Sequence, residues 1–229
     1  MLLSQSEIVP FADDTFGAPA VRGFLHKPAK PLDAALVITH GAGANCQAPI
    51  LVGMASHFAQ EGFTVLRCEL PFRQVKRYGP PFGTSAKDRE GLRHAVLALK
   101  RIASGRVFLG GHSYGGRQAS MLAAEEHSIV DGLLLLSYPL HPPRQPDKLR
   151  TSHFPKLETR TLFVHGSRDP FGSREELESA LQLIPAPTSL VIIEGAGHEL
   201  GFSRTKRNEA DDLPKRVFES AARLFVFPE

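Results

Sequence analysis

Apolar residues in this chain gather in short unbroken runs. Five stand out: ALVI (35–38), RVFLG (106–110), GLLLL (132–136), TLFV (161–164) and SLVII (189–193). FTVLRC (63–68) is a sixth, slightly more polar. A strand with one wet face alternates polar and apolar residues, so runs like these predict strands covered on both faces, as in a parallel sheet between helices. VRGFL (21–25) does alternate, and is expected as an antiparallel strand near the sheet edge.

Between the runs the pattern changes to that of helices. PILVGMASHFAQEG (49–62) opens on Pro49 and stops at Gly62, a proline start and a glycine stop. SAKDREGLRHAVLALKRI (85–102) brings Leu92, Val96 and Leu99 to one face behind a candidate N-cap at Ser85. GGRQASMLAAEEH (115–127), SREELESALQLI (173–184) and DLPKRVFESAARLFVF (212–227) complete the set; Ser173 and Glu176 have capping-box spacing. Strands alternating with helices predict an α/β fold, a doubly wound and mostly parallel sheet with helices on both faces. Two stretches break the rhythm. PFRQVKRYGPPFG (71–83) reads as a loop, and residues 138–158, with five prolines, have room for at most one short helix at Asp147 to Thr151. No repeat, low-complexity tract or domain boundary interrupts the chain, so a single domain over 1–229 is expected.

Composition narrows the function. Charged residues are 22% of the 229, near the globular average, and apolar residues are 42%, enough for a sizeable core. The net charge of +3 is spread out. Its densest cluster, Arg204, Lys206 and Arg207, has no interleaved aromatics, so nucleic acid is not an expected partner and a solvated loop is. No apolar run approaches the roughly 18 residues of a membrane span, and the start, MLLSQSEIVPF, lacks the basic region of a signal peptide. A cytoplasmic location is the resulting expectation. The two cysteines, Cys46 and Cys68, allow one disulfide at most and form no metal-binding pattern.

The chemistry centres on FLGGHSYGGRQA (108–119), where Gly111, His112, Ser113, Tyr114 and Gly115 spell G-x-S-x-G between a predicted strand and a predicted helix. In a nucleophile elbow the chain turns sharply from strand into helix, with the serine hydroxyl exposed at the top. Residues two before and two after the serine must be tiny, which Gly111 and Gly115 supply. A serine hydroxyl needs a base, and in this arrangement the acid and the histidine follow in that order after later strands. Asp169, in FVHGSRDP, and His198, in IIEGAGHE, each stand just beyond a predicted strand, at the edge where an open α/β sheet builds its site. His198 is the expected base and then acid; Asp169 orients it. Asp147 is the second choice of acid and His165 or His141 of base, while Asp131 precedes its strand and falls at the wrong end. The oxyanion needs backbone donors. Tyr114 N–H is one; the other comes from THGAGANCQ, with Ala42 first and Gly43 or Ala44 also open. The alternative reading of GAGAN as a dinucleotide loop is disfavoured, because G-x-G-x-x-G is incomplete.

With these residues in place, the chain resembles the α/β-hydrolase superfamily, and more closely the bacterial dienelactone-hydrolase-like proteins related to the hydrolase-like domain of a chromatin-complex subunit. THGAGAN, ELPF, GGHSYGG, SYPLHPP, KLRTSHFP, TLFVHGSRDPFG and GAGHEL carry the resemblance across residues 36 to 200. It implies Ser113, Asp169 and His198 as the triad and a compact hydrolase with little or no cap, in keeping with the short excursion at 138–158. Dienelactone hydrolases proper use a cysteine nucleophile where this chain has Ser113, so the resemblance does not carry their substrate with it.

The expected activity is a serine hydrolase acting on a small-molecule ester or related acyl bond, with no cofactor and no metal. A non-catalytic scaffold on the same fold, acyl transfer and peptide cleavage are the alternatives. Arg73, Lys76 and Arg77 lie on the catalytic edge, either as receivers of an acidic substrate group or, more commonly for such residues, as solvated loop charges. Tyr78, Phe82, Phe154 and Phe171 are candidates to line an acyl site, with core packing as the equal alternative. Cys46, close behind the oxyanion loop, is expected as a small buried thiol rather than a redox centre.

Overall fold

The computed structural model describes residues 6–201 and 212–226. Arg204, Lys206 and Arg207 therefore lie outside the described residues. Eight strands form one sheet: β1 (Glu7–Asp13), β2 (Val21–Lys27), β3 (Ala34–Thr39), β4 (Thr64–Cys68), β5 (Arg106–His112), β6 (Gly132–Leu136), β7 (Thr161–Gly166) and β8 (Thr188–Ile193). Their spatial order is β1-β2-β4-β3-β5-β6-β7-β8. All pairs from β4 to β8 are parallel, and the two pairs made by β2 are antiparallel, as its alternating sequence predicted. β1 is an addition not read from the sequence. It carries Pro10 and pairs on one side only, an edge position that tolerates a missing backbone donor.

The helices are α1 (Pro49–Gln60), α2 (Pro71–Val75), α3 (Ser85–Ile102), α4 (Tyr114–Glu125), α5 (Arg174–Leu181) and α6 (Leu213–Ala221), the last running into a short π-helical segment at Ala222–Val226. The unbroken apolar runs are explained by two cores. Successive residues of a strand point to opposite faces. Thus Val37, Leu109 and Leu135 meet α3, α4 and α5 on one side, while Leu36, Phe108 and Leu134 meet α1 and α6 on the other. Burying each such side chain contributes about 1.5–3 kcal/mol. The capping box of α5 is complete: Ser173 Oγ accepts from Glu176 N at 3.2 Å, and Ser173 N donates to a Glu176 carboxylate oxygen at 2.7 Å. The N-cap of α3 is Thr84 rather than Ser85, without a side-chain bond. No helix among the described residues is long and apolar enough to cross a membrane.

Two segments differ from expectation. Residues 71–75, read as loop, form α2, a single proline-opened turn whose Phe72 is buried against the core. In the excursion at 138–158, helical geometry falls at Phe154–Lys156 as a 3-10 turn, not at 147–151. The cause is aromatic packing. The Phe154 ring is fully buried, with centroids 5.4 Å from Tyr138 and 6.1 Å from Phe163. Phe154 is therefore a core residue and does not line an acyl site.

The chain winds one way from β3 to β4, then crosses to the other side of β3 for β5. The carboxyl ends of β3 and β5 thus flank the point where the winding direction reverses, where open α/β sheets form their ligand crevice. The turn after β5 is the serine elbow and the loop after β3 is THGAGANCQ.

From the packing of Phe154, Phe154→Ala is expected to cost about 3–5 kcal/mol of stability. A lowered midpoint in urea unfolding at unchanged slope checks this.

Candidate active site

The elbow is strained and tightly packed. Ser113 sits at φ 52°, ψ −117°, a conformation that L-residues rarely adopt. Its N–H is tied to Leu136 O on β6 at 2.8 Å, and its C=O accepts from Arg117 N at 3.0 Å as α4 begins. A Cβ on Gly111 would come within 2.6 Å of the Gly115 and Gly116 backbone. A Cβ on Gly115 would come within 2.5 Å of His40 O. These two glycines allow α4 to press both on the strand it leaves and on the end of β3.

Ser113, His198 and Asp169 meet. Ser113 Oγ lies 2.8 Å from His198 Nε2, and His198 Nδ1 lies 2.8 Å from Asp169 Oδ2. A carboxylate only accepts, so Nδ1 carries the proton, and the Nε2 lone pair faces the serine hydroxyl. The Asp169 side chain is fully buried, and its other oxygen accepts Phe171 N at 2.9 Å. The Phe171 ring lies against the His198 imidazole, 4.3 Å between centroids. The other candidates are elsewhere. His165 is buried and hydrogen-bonded to Gly172 O, with its Nε2 3.7 Å from Asp169. His141 contacts Glu176 at the capping box of α5. Asp131 receives Val107 N at the opposite end of the sheet, and Asp147 lies in an exposed turn.

The loop after β3 abuts the nucleophile: a Cβ on Gly41 would lie 3.4 Å from Ser113 Cβ. His40, which sequence reasoning passed over, holds this loop. It is fully buried, accepts Leu70 N on Nε2 at 3.1 Å, and donates from Nδ1 to Gly41 O at 2.9 Å. In a trans peptide C=O and N–H point in opposite directions. Anchoring Gly41 O therefore also fixes where Ala42 N–H points. Ala44 N is bonded back to Gly41 O, which removes it as a donor and leaves Ala42 and Gly43. The signal that could have found His40 is the His-Gly pair at the end of a buried strand.

Arg73 is a correction. It is neither a solvated loop charge nor free to receive a substrate anion, being only 5% exposed. One guanidinium nitrogen donates to Ala42 O at 2.6 Å and Gly79 O at 3.0 Å, the other to Lys76 O at 3.2 Å, and the group lies 4.9 Å from the Phe72 ring. It fastens the segment after α2 to the loop after β3. Lys76, Arg77, Tyr78 and Phe82 are exposed, with Arg77 stacked on Tyr78. Asp88, also missed, lies buried in the first turn of α3 and accepts Tyr114 Oη at 2.7 Å and Phe72 N at 3.3 Å. Burial pushes its carboxyl above the ordinary range. Cys46 and Cys68 are both buried and free; burial raises both thiols, Cys68 up to about 12, which suits inert packing.

A family model described as an alpha/beta hydrolase domain matches residues 32–226. Among solved structures, a dienelactone hydrolase from Anabaena variabilis is 22% identical with a TM-score of 0.75, covering 97% of this chain and 98% of that one. An a/b serine hydrolase without lid from Xanthomonas campestris is 15% identical with a TM-score of 0.72, covering 100% and 99%. Est1E from Butyrivibrio proteoclasticus, in complex with ferulic acid, is 17% identical with a TM-score of 0.72, covering 90% and 96%.

Burial favours the neutral form of several imidazoles in the fold. It lowers His26 and His153 to about 4, and also lowers His40, His112 and His165. The unfolded imidazoles titrate near 6.5. Between about 6.5 and about 4 the unfolded state therefore binds more protons, and the free energy of unfolding falls as pH falls. Melting is expected at lower temperature at pH 5 than at pH 7.5. His26 accepts Arg67 Nε at 2.8 Å. His26→Gln, which can accept the same bond without titrating, is expected to flatten that dependence in calorimetry across the range.

Proposed function

The chain belongs to the alpha/beta hydrolase domain family, and from that premise we propose that it is a serine hydrolase cleaving a carboxylic ester or related acyl bond, with residues 1–229 acting as one hydrolase domain. One observation carries the reading: the hydrogen-bonded line from Ser113 Oγ through His198 to the buried Asp169 carboxylate, 2.8 Å at each step.

The proposed reaction runs in two halves. Ser113 Oγ attacks the substrate carbonyl carbon while its proton passes to His198 Nε2. Asp169, already bonded to Nδ1, stabilises the imidazolium that results. The carbonyl oxygen becomes an oxyanion and accepts from Tyr114 N–H and Ala42 N–H. Collapse expels the alcohol, which takes the proton from His198 and leaves an acyl-Ser113. Water, deprotonated by the same nitrogen, then releases the acid and restores the hydroxyl. Phe171, over the imidazole face, and Tyr78, at the rim, are the side chains offered to the substrate. The ferulic acid held by Est1E makes aryl esters a sensible first substrate set.

A fluorophosphonate probe should label Ser113, with mass spectrometry placing the adduct there and Ser113→Ala abolishing it. A folded but unlabelled protein would favour the scaffold reading. Asp169→Asn should cut kcat by about 10⁴ while the melting temperature changes little; an equal loss from Asp147→Asn would reassign the acid.

A further inference from the structure

We propose that His112 is a positioning residue for the base: its imidazole holds the backbone of His198 in place relative to Ser113. The inference rests on the Ser113–His198 reading and adds a residue to it.

His112 ends β5 and immediately precedes Ser113. It is buried, at 4% exposure, and its Nε2 lies 2.9 Å from the backbone O of His198. A carbonyl only accepts, so Nε2 carries the proton and donates it. The two imidazoles are 5.1 Å apart at their centroids, tilted by 51°. The Nδ1 edge faces Gly41, where a Cβ would come within 3.1 Å. A single ring thus meets the base loop and the oxyanion loop, and is covalently next to the nucleophile.

The base loop needs such a tie. It contains Gly195, at φ 72°, and Gly197 on either side of Ala196. Its own bonds are local turns, Ala196 N to Ile193 O and Leu200 N to Gly197 O, with Arg168 N to Ala196 O and Gly195 N to Ser167 Oγ linking it to the turn after β7. Among the described residues, the bond from His112 is the one made to the backbone of His198. Asp169 fixes the imidazole tip, but a side chain anchored at its tip can still pivot if its Cα moves. His112 removes that freedom from the elbow itself. It does not compete as a base, since its Nε2 proton is committed to the carbonyl and its Nδ1 faces Gly41. Burial, which holds it below its ordinary range, keeps it neutral.

The test uses the full chain with His112→Leu, His112→Asn and His112→Gln. Glutamine can place an amide N–H where Nε2 stands, and asparagine falls short. With an aryl acetate, the leucine and asparagine variants are expected to lose about tenfold or more in kcat with KM within about twofold, because misplaced catalytic groups cost rate rather than binding. The glutamine variant is expected within about threefold of wild type. The far-downfield proton resonance of His198 Nδ1–H should broaden or vanish in the leucine and asparagine variants and persist in the glutamine variant. Undiminished kcat in the leucine variant, or glutamine no better than asparagine, overturns the proposal. If leucine does not fold, the asparagine–glutamine pair decides. If wild type is inert to fluorophosphonate, the serine-hydrolase reading falls instead, and a resonance unchanged across the variants then overturns the positioning role independently.

Discussion

A serine held at φ 52° is costly, on the order of 1–3 kcal/mol of backbone strain, and the rest of the fold is arranged to hold it there. The strain persists because the alternatives are blocked. β5 is hydrogen-bonded between β3 and β6, Ser113 N is bonded to β6, and α4 is packed against Gly111 so closely that a methyl group would not fit. The two cores above and below the sheet then fix the angle between strand and helix. Under the proposed mechanism, a hydroxyl presented this way needs no rearrangement before it reacts, which is how a folded backbone lowers a barrier.

Buried polar groups extend that arrangement outward from the elbow. His40, Arg73, Asp88 and His112 are each almost fully buried, and each is hydrogen-bonded to the segments around Ser113, Asp88 as an acceptor. Burying the Arg73 cation is expensive, and only partners in good geometry offset the cost. Its three carbonyl contacts supply them, although its Nε has no hydrogen-bond partner among the described residues. An apolar side chain of similar size would pack at less cost. It could not hold the Ala42 carbonyl in one orientation, and Gly43 N–H, in the same peptide, takes its direction from that.

Most of this architecture is legible in the sequence for a physical reason. Strands buried on both faces must be apolar at every position, so β3, β5, β6 and β7 announce themselves, and the elbow glycines announce the turn. Order along the chain then assigns Asp169 and His198 to strand ends. What the sequence hides depends on side-chain partners far away in the chain. Arg73 looks like one charge among several in KRYG-type loop sequence, and its burial follows from Ala42, 31 residues earlier. Phe154 looks like a loop aromatic until Tyr138 and Phe163 are seen to enclose it. β1 escapes because an edge strand with one partner and a proline has no unbroken apolar run.

The same contrast explains why the chemistry is easier to read than the substrate. Each group in the Ser113 line is set by strand ends and by bonds between backbone and buried side chains, and this scaffolding tolerates little change. The groups that would meet a substrate beyond the reacting carbonyl are of another kind. Tyr78 and Phe82 are exposed on a segment that Arg73 links to the loop after β3, while Phe171 N donates to Asp169 Oδ1 and Phe171 O accepts His141 N. Such positions can change without disturbing the elbow, because no core packing depends on them. Under the proposed function, a fold built this way keeps one mechanism while its exposed positions drift from substrate to substrate, and Arg73 is where the two regimes meet: inward it holds the Ala42 carbonyl, outward the Lys76 and Gly79 carbonyls of the segment that carries Tyr78.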